Sequence, residues 1–287
     1  MNIKLFLSLV FGLLIIGQAS AQDDLLKELD TVKSKEKQVE IASFKGLQIC
    51  NMQSTKLTAK GEWYVLISHR FGDLTEGLDN FFGLDDAYTK LGGIYGVTNW
   101  LSVGMSRQTN NKIYELTVKY RLKSQETDGF PVTIVGYNTM DINTNLSTDI
   151  YPGLETYNRF AYSTQLLISR KFTEKFSAEL TPIYIHKNLY DQTTEREDQF
   201  TVGIGGRYKL TKRLSVNLEY APRINAPENT VYHDLLSMGL DIDTGGHIFQ
   251  LVFSNCQTMN DVYLFSNATG KWNGGSLYFG FNLYRVF

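Results

Sequence analysis

The sequence predicts an all-β fold: a closed, antiparallel, up-and-down transmembrane β-barrel of about twelve strands. Three observations carry that expectation. From Gly61 to Phe287, apolar and polar residues alternate in segments near the ~10 residues that a tilted membrane strand needs. Short turns alternate with long connections along the chain. Beyond the N-terminal residues, no stretch is apolar enough for a membrane helix, which leaves a closed barrel as the structure that satisfies every backbone group in lipid.

Residues 1–21 read as a secretory signal peptide. Lys4 supplies the charge, residues 5–17 the apolar stretch, and Ala19-Ser20-Ala21 the small-residue cleavage motif before Gln22. Since Gln22 is not Cys, a lipid anchor is not expected. Residues 22–60 form a periplasmic leader or plug segment. Its first part is charged, with Leu25, Leu26, Leu29 and Val32 as a sparse stripe at near-helical spacing. Within it, residues 44–53 have weak strand character, suited to a plug or a segment lining the lumen.

Residues 61–287 make the barrel. Residues 114–122 and 214–220 alternate most cleanly, with large apolar side chains on one face and polar or charged ones on the other. Residues 200–210 put Phe200, Val202, Ile204, Tyr208 and Leu210 on one side, with Thr201, Arg207 and Lys209 on the other. Three turns share a pattern: Val97-Thr98-Asn99-Trp100-Leu101, Phe172-Thr173-Glu174-Lys175-Phe176 and Leu210-Thr211-Lys212-Arg213-Leu214. Their flanking apolar residues face the same way, so parity requires an odd loop. At Asp243-Thr244-Gly245-Gly246-His247 the parity changes, and Gly245-Gly246 supplies an even, two-residue turn that tolerates positive φ. This pairs Phe172 with Phe176, Leu210 with Leu214, and Ile242 with Phe249.

Long connections, at 72–87, 143–158, 187–197, 222–235 and 255–273, lie at the opposite rim from the short turns. An even strand count then puts both termini on the periplasmic side. Composition agrees: aromatics make up 13 %, enough to furnish two interfacial girdles, and a mean hydropathy of -0.21 fits a polar interior. A net charge of -2 implies no nucleic-acid partner. Cys50 and Cys256 fall on different parts of this architecture, so a disulfide between them is disfavoured.

The closing strand separates Leu277, Phe279, Phe281, Leu283, Arg285 and Phe287 from Ser276, Tyr278, Gly280, Asn282, Tyr284 and Val286. It resembles the last strand of bacterial outer-membrane barrels, in which a terminal aromatic is read by the barrel-insertion machinery. That resemblance implies an insertion signal at Phe279, Phe281, Leu283 and Phe287, with Arg285 departing from the usual apolar residue. Together with 68–72, 83–87 and 244–251, the strand also resembles an uncharacterised, domain-of-unknown-function family of Gram-negative outer-membrane β-barrel proteins. The resemblance spans most of the chain from Phe44 onward and implies fold and location, but no activity.

Candidate chemistry is sparse. His69, His186, His233 and His247 fall on different rims and loops and do not converge on a metal. The adjacent Ser68 and His69 point to opposite faces, which rules out a catalytic pair. Asp241 and Asp243 share a face near a turn, where Asp is common anyway, and the glycines of Gly203-Ile204-Gly205-Gly206 relieve crowding in the lumen or bend the wall. The informative set is the lumen face: Arg70, Glu115, Lys119, Arg121, Lys171, Glu179, Arg207, Lys209 and Glu219. Glu179 and Arg207 are expected at the same height on neighbouring strands, in contact directly or through one residue such as Lys209. The expected function is a non-enzymatic barrel with a narrow lumen, serving solute passage or a structural or accessory role. No cofactor is expected, and the partners are outer-membrane lipid and the insertion machinery. The alternatives are an outer-membrane hydrolase or acyltransferase and a soluble exported β-protein that binds a ligand.

Overall fold

The computed structural model describes residues 43–245 and 247–287; residues 1–21, expected to be a signal peptide, and residues 22–42 of the leader lie outside the described residues. Twelve strands form a closed antiparallel barrel in sequence order. They are β1 (Trp63–Asp73), β2 (Tyr88–Gly96), β3 (Leu101–Gln108), β4 (Ile113–Lys123), β5 (Thr133–Asn143) and β6 (Phe160–Lys171). The second half is β7 (Phe176–Lys187), β8 (Asp198–Lys209), β9 (Leu214–Ala221), β10 (Leu235–Asp243), β11 (His247–Ser254) and β12 (Tyr278–Val286). Between β4 and β5, Glu126–Phe130 is a small turn of its own, closed by a 2.8 Å hydrogen bond from the Glu126 amide to the Phe130 carbonyl.

Closure depends on the seam between β1 and β12. Tyr64 pairs with Val286 and Arg70 with Gly280. The Trp63 and Phe287 amides donate to each other's carbonyls at 3.2 and 2.9 Å, so the last residue is inside the ladder. The turns have the registers that parity requires. The Phe172 amide donates to the Phe176 carbonyl at 3.0 Å and the Leu210 amide to the Leu214 carbonyl at 2.9 Å, while Ile242 lies opposite Phe249.

Side chains alternate around the ring. Leu91, Met105, Leu122, Leu180, Ile204 and Leu218 are exposed on the outer face, while Ser68, Ser102, Thr139, Gln165, Thr181 and Asn217 are buried in the bore. Aromatics border both ends of the outer band. Trp63 and Tyr95 pack at 4.7 Å and Phe172 and Phe176 at 5.6 Å on the short-turn rim, with Tyr184 and Phe200 at 5.4 Å and Phe253 and Phe279 at 4.9 Å toward the other. Outward Tyr184 and Tyr220 donate their hydroxyls to Asp198 and Asp234 at 2.6 and 2.9 Å, holding each ring with its polar tip at the loop end.

Two segments fill the bore. Residues 43–58 enter from the short-turn rim as a hairpin, with Gln48 bridged to Gln53 and its tip closed by a 2.8 Å bond from the Ile49 amide to the Met52 carbonyl. The β11–β12 connection, expected as a rim loop, instead folds inward from the opposite end. It carries a short helix, α1 (Asp261–Ser266), whose Val262, Leu264 and Phe265 are buried. Twelve strands enclose more space than their own side chains occupy, and these two segments take it up.

The seam supplies a stability prediction. At Gly280 an added Cβ would run into the backbone carbonyl of His69 and stand 2.7 Å from Arg70 Cδ, whereas at Gly206 the nearest atoms are at 3.8 and 3.9 Å. Gly280→Val should destabilise the folded barrel by about 1–3 kcal/mol, as overpacking does, and Gly206→Ala should be tolerated. Heat-modifiable gel migration, followed against temperature, checks both; equal midpoints would show that the seam is not tightly packed.

Candidate functional site: the filled bore

The tip of the hairpin is held by one carboxylate. Glu219, on β9, is fully buried, with 0 % exposure. It accepts the backbone amides of Cys50, Asn51 and Met52, at 3.0, 2.9 and 3.0 Å. Three successive N–H groups turned toward one point form a nest for an anion, here filled by the wall itself. The carbonyls of the same turn are taken by side-chain amides of the wall. Asn217 and Gln250 both donate to the Ile49 carbonyl, at 2.9 and 2.5 Å, and Asn282 donates to the Cys50 carbonyl at 2.8 Å.

Charged groups complete the grip. Arg70 donates to Asn51 Oδ1 at 2.8 Å and Asn282 Oδ1 at 2.9 Å, tying hairpin to seam. Lys119 donates to the carbonyls of Leu47 and Ser54 at 3.2 and 3.1 Å and to Gln53 Oε1 at 3.0 Å. Glu179 accepts the Thr55 amide at 3.1 Å. At the short-turn rim, Lys45 of the hairpin pairs with Asp243. Burying a charge without partners is costly, and the hairpin's main chain supplies those partners.

Glu179 and Arg207 do not pair. Both are buried on the bore face, at 3 % and 8 % exposure, but Glu179 lies opposite Gly205 and Arg207 opposite Ser177. Arg207 donates instead to Ser215 Oγ at 3.1 and 3.0 Å and to the Ser43 carbonyl at 3.4 Å. The expected pair assumed a common height, and the register sets the two residues two positions apart. With a hairpin between the walls, each charge finds a closer partner there or on its own side.

Of the other lumen candidates, Glu115 forms a buried 2.5 Å pair with Lys90, and Ser106 donates to it at 2.8 Å. Arg121, Lys171 and Lys209 are half-buried near the short-turn rim. Asp241 accepts from Asn217 and Gln250, at 2.7 and 2.6 Å. Its acid pair with Asp243 is therefore divided between wall amides and Lys45. Glycines floor the bore where the hairpin is thickest. A Cβ on Gly203 would run into Met52, one on Gly205 into Ile49, and one on Gly239 would stand 2.8 Å from Cys50 Sγ. The alternation of Gly203 and Gly205 was the readable sign of a filled interior. The partners Asn217, Gln250 and Asn282 carried no comparable signal, since a bore-facing amide is ordinary in any barrel.

The opposite end has different chemistry. Val262, Leu264, Phe265, Cys256 and Ala268 of the inward loop pack with Ala161, Ile183, Ile185, Ala221 and Leu235 of the wall and with Met52 of the hairpin. Polar contacts ring this apolar cork. Gln108 donates to Asn260 at 2.7 Å, Gln165 to Asp261 at 3.1 Å, and Lys187 to Glu195 and Asn267 at 2.5 and 2.6 Å. Burial, with the Glu115 carboxylate nearby, raises the Asp261 carboxyl above its usual range. Cork and hairpin meet where Gln53 donates to Asp261 at 3.3 Å. Between the hairpin and β2–β4 remains a cavity of about 30 Å³, lined by Leu57, Lys90, Ile94, Ser106, Glu115 and Tyr137 among others. It has room for little more than a water molecule. Both cysteines are free thiols, Cys50 in the hairpin and Cys256 in the cork.

No curated protein matches the chain. Among solved structures, the KdgM porin is similar at 10 % identity and a TM-score of 0.50, covering 78 % of this chain and 99 % of its own. The KdgM porin in complex with disordered oligogalacturonate is similar at 10 % identity and 0.51, with the same coverage. At such identity the likeness is one of fold. The model of one family, described as "Membrane bound beta barrel domain (DUF5777)", matches residues 44–287, from the hairpin to the last strand. The chain belongs to this uncharacterised family of membrane-bound β-barrels.

Proposed function

We propose that this protein is a non-enzymatic outer-membrane β-barrel with an accessory role: a vessel sealed at its long-loop end, with a hydrogen-bonding socket at its short-turn end. The carrying observation is the contrast between the two fillings. The cork buries an apolar cluster, which water cannot replace without large cost. The hairpin also buries Phe44, Leu47, Ile49, Met52 and Leu57, but it is gripped besides by Glu219, Lys119, Asn217 and Gln250, groups that water can re-satisfy at a net ~0.5–3 kcal/mol per bond. On this reading the hairpin, with the denser polar grip, is the releasable element and the cork the permanent one. A second reading, gated solute passage, is favoured by the charged wall at mid-bore, since Arg70, Lys119, Glu179 and Glu219 would suit a wetted path. On either reading both termini are periplasmic, outer-membrane lipid surrounds the apolar band, and nucleic acid is no partner.

Glu219→Gln separates the two readings. The amide has one acceptor oxygen and turns an NH2 group toward donors, so the nest loses its anion. With single-cysteine chains, Cys50 should label about tenfold faster or more with a maleimide, while Cys256 stays slow. Planar bilayers should remain without steady conductance. Sustained conductance in Glu219→Gln would overturn the sealed vessel in favour of passage.

Insertion is a separate expectation. The terminal Phe287 is 63 % exposed on the outer face, in register with Trp63. On the proposed reading the insertion machinery recognises Phe279, Phe281, Leu283 and Phe287. Phe287→Ala should lower the yield of heat-modifiable barrel in the outer-membrane fraction, and unchanged yield would show that the terminal aromatic is not read.

A further inference from the structure

We infer that the socket accepts a second polypeptide segment in place of its own hairpin, so that its ligand class is peptide presented from the periplasmic side. This rests on the reading of the bore as a sealed vessel. The first ground is that the wall addresses main chain. Glu219 takes three consecutive amides and Glu179 a fourth. Asn217, Gln250, Asn282 and Lys119 take carbonyls. Ser102 accepts the Thr58 amide at 3.2 Å and donates to the Thr58 carbonyl at 3.4 Å. Amide donors and carbonyl acceptors at these spacings are what a polyamide offers, whatever its side chains.

The second ground is the glycine floor. Side chains of Ile49, Met52 and Cys50 pack directly on Gly205, Gly203 and Gly239, whose missing side chains leave pockets for occupants of that size. Main-chain hydrogen bonds combined with pockets for side chains are the anatomy of peptide sites. The third ground is charge. Glu179, Glu219 and Asp241 are interspersed with Arg70, Lys119 and Arg207 in the same bore. A polyanion would meet buried carboxylates and a polycation buried cations, whereas a neutral polyamide satisfies both signs.

The test empties the socket while keeping Glu219, Glu179, Lys119, Asn217, Gln250 and Asn282 on the wall. Asn51→Pro removes one of the three amides on Glu219, together with the side chain bonded to Arg70 and Ser237. In the full chain carrying Asn51→Pro, Cys50→Ala and Cys256→Ser, a Ser237→Cys reporter lies beside the vacated nest. Heat-modifiable migration confirms the folded barrel, and the reporter should label readily with a maleimide. Short unstructured peptides of unrelated neutral sequence should slow that labelling about tenfold, while linear oligosaccharides of similar length should not. Adding Glu219→Gln should abolish the peptide protection. Labelling that peptides do not slow, or that saccharides slow equally, overturns the peptide ligand and leaves the sealed vessel standing. A reporter that never labels in the folded barrel shows that the hairpin is not releasable and overturns both. Steady bilayer conductance of the same chain, with peptide protection intact, overturns only the sealed end.

Discussion

A ring of twelve strands closes on itself but not on its contents, and that geometric surplus governs the rest of the molecule. Lipid requires every strand backbone to be paired, which the β1–β12 seam accomplishes. The interior then has a wall of alternate residues with space between them. Filling it with water would make a pore; filling it with chain makes the structure seen here. Once chain is chosen, inward charges can take partners from that chain. This is why Glu219, Lys119 and Arg70 all point at residues 43–58 and not at one another.

The barrel was legible in the sequence because its signals are local and redundant. Phe172 and Phe176, or Ile242 and Phe249, can face alike only with turns of the right parity, and turn chemistry reports the same thing independently. The filling was not legible, for a physical reason. Residues 43–58 form no regular strand, and their contacts are made mostly by backbone groups, which every sequence has. Asn255 and its successors looked like any long loop; what draws them inward is the apolar set Val262, Leu264 and Phe265, too brief to register as periodicity. The expected contact between Glu179 and Arg207 failed at the same point. The face was right, but the register sets the two residues two positions apart, and each turns to the hairpin or to Ser215.

The two fillings divide one bore into regions of unlike character. Toward the long loops, the inward side chains of β6 and β7 include Ala161, Ile183 and Ile185, and they meet a helix of matching chemistry. Toward the short turns, the same strands present Ser169, Ser177 and Glu179, and they meet a hairpin. A strand running through the barrel thus changes from apolar to polar on its inner face partway along. Gln53 and Asp261 mark the boundary. Neither cysteine needs a partner in this arrangement, because each is a small side chain buried within its own filling.

The hairpin lies before the first strand in the chain, yet its tip is bound by strands from the far end. The amides of residues 50–52 and the carboxylate that holds them are separated by 167 to 169 positions. An object in the middle of a ring is most simply placed before the ring is joined. The seam between β1 and β12 unites the first strand with the last, so it is the one joint that can wait until all the others exist. The hairpin therefore has the position of a mandrel around which β9 to β12 are laid, with Arg70 and Asn282 fastening the final joint over it. The contacts that bring wall and centre together are among the longest in sequence and the slowest to find.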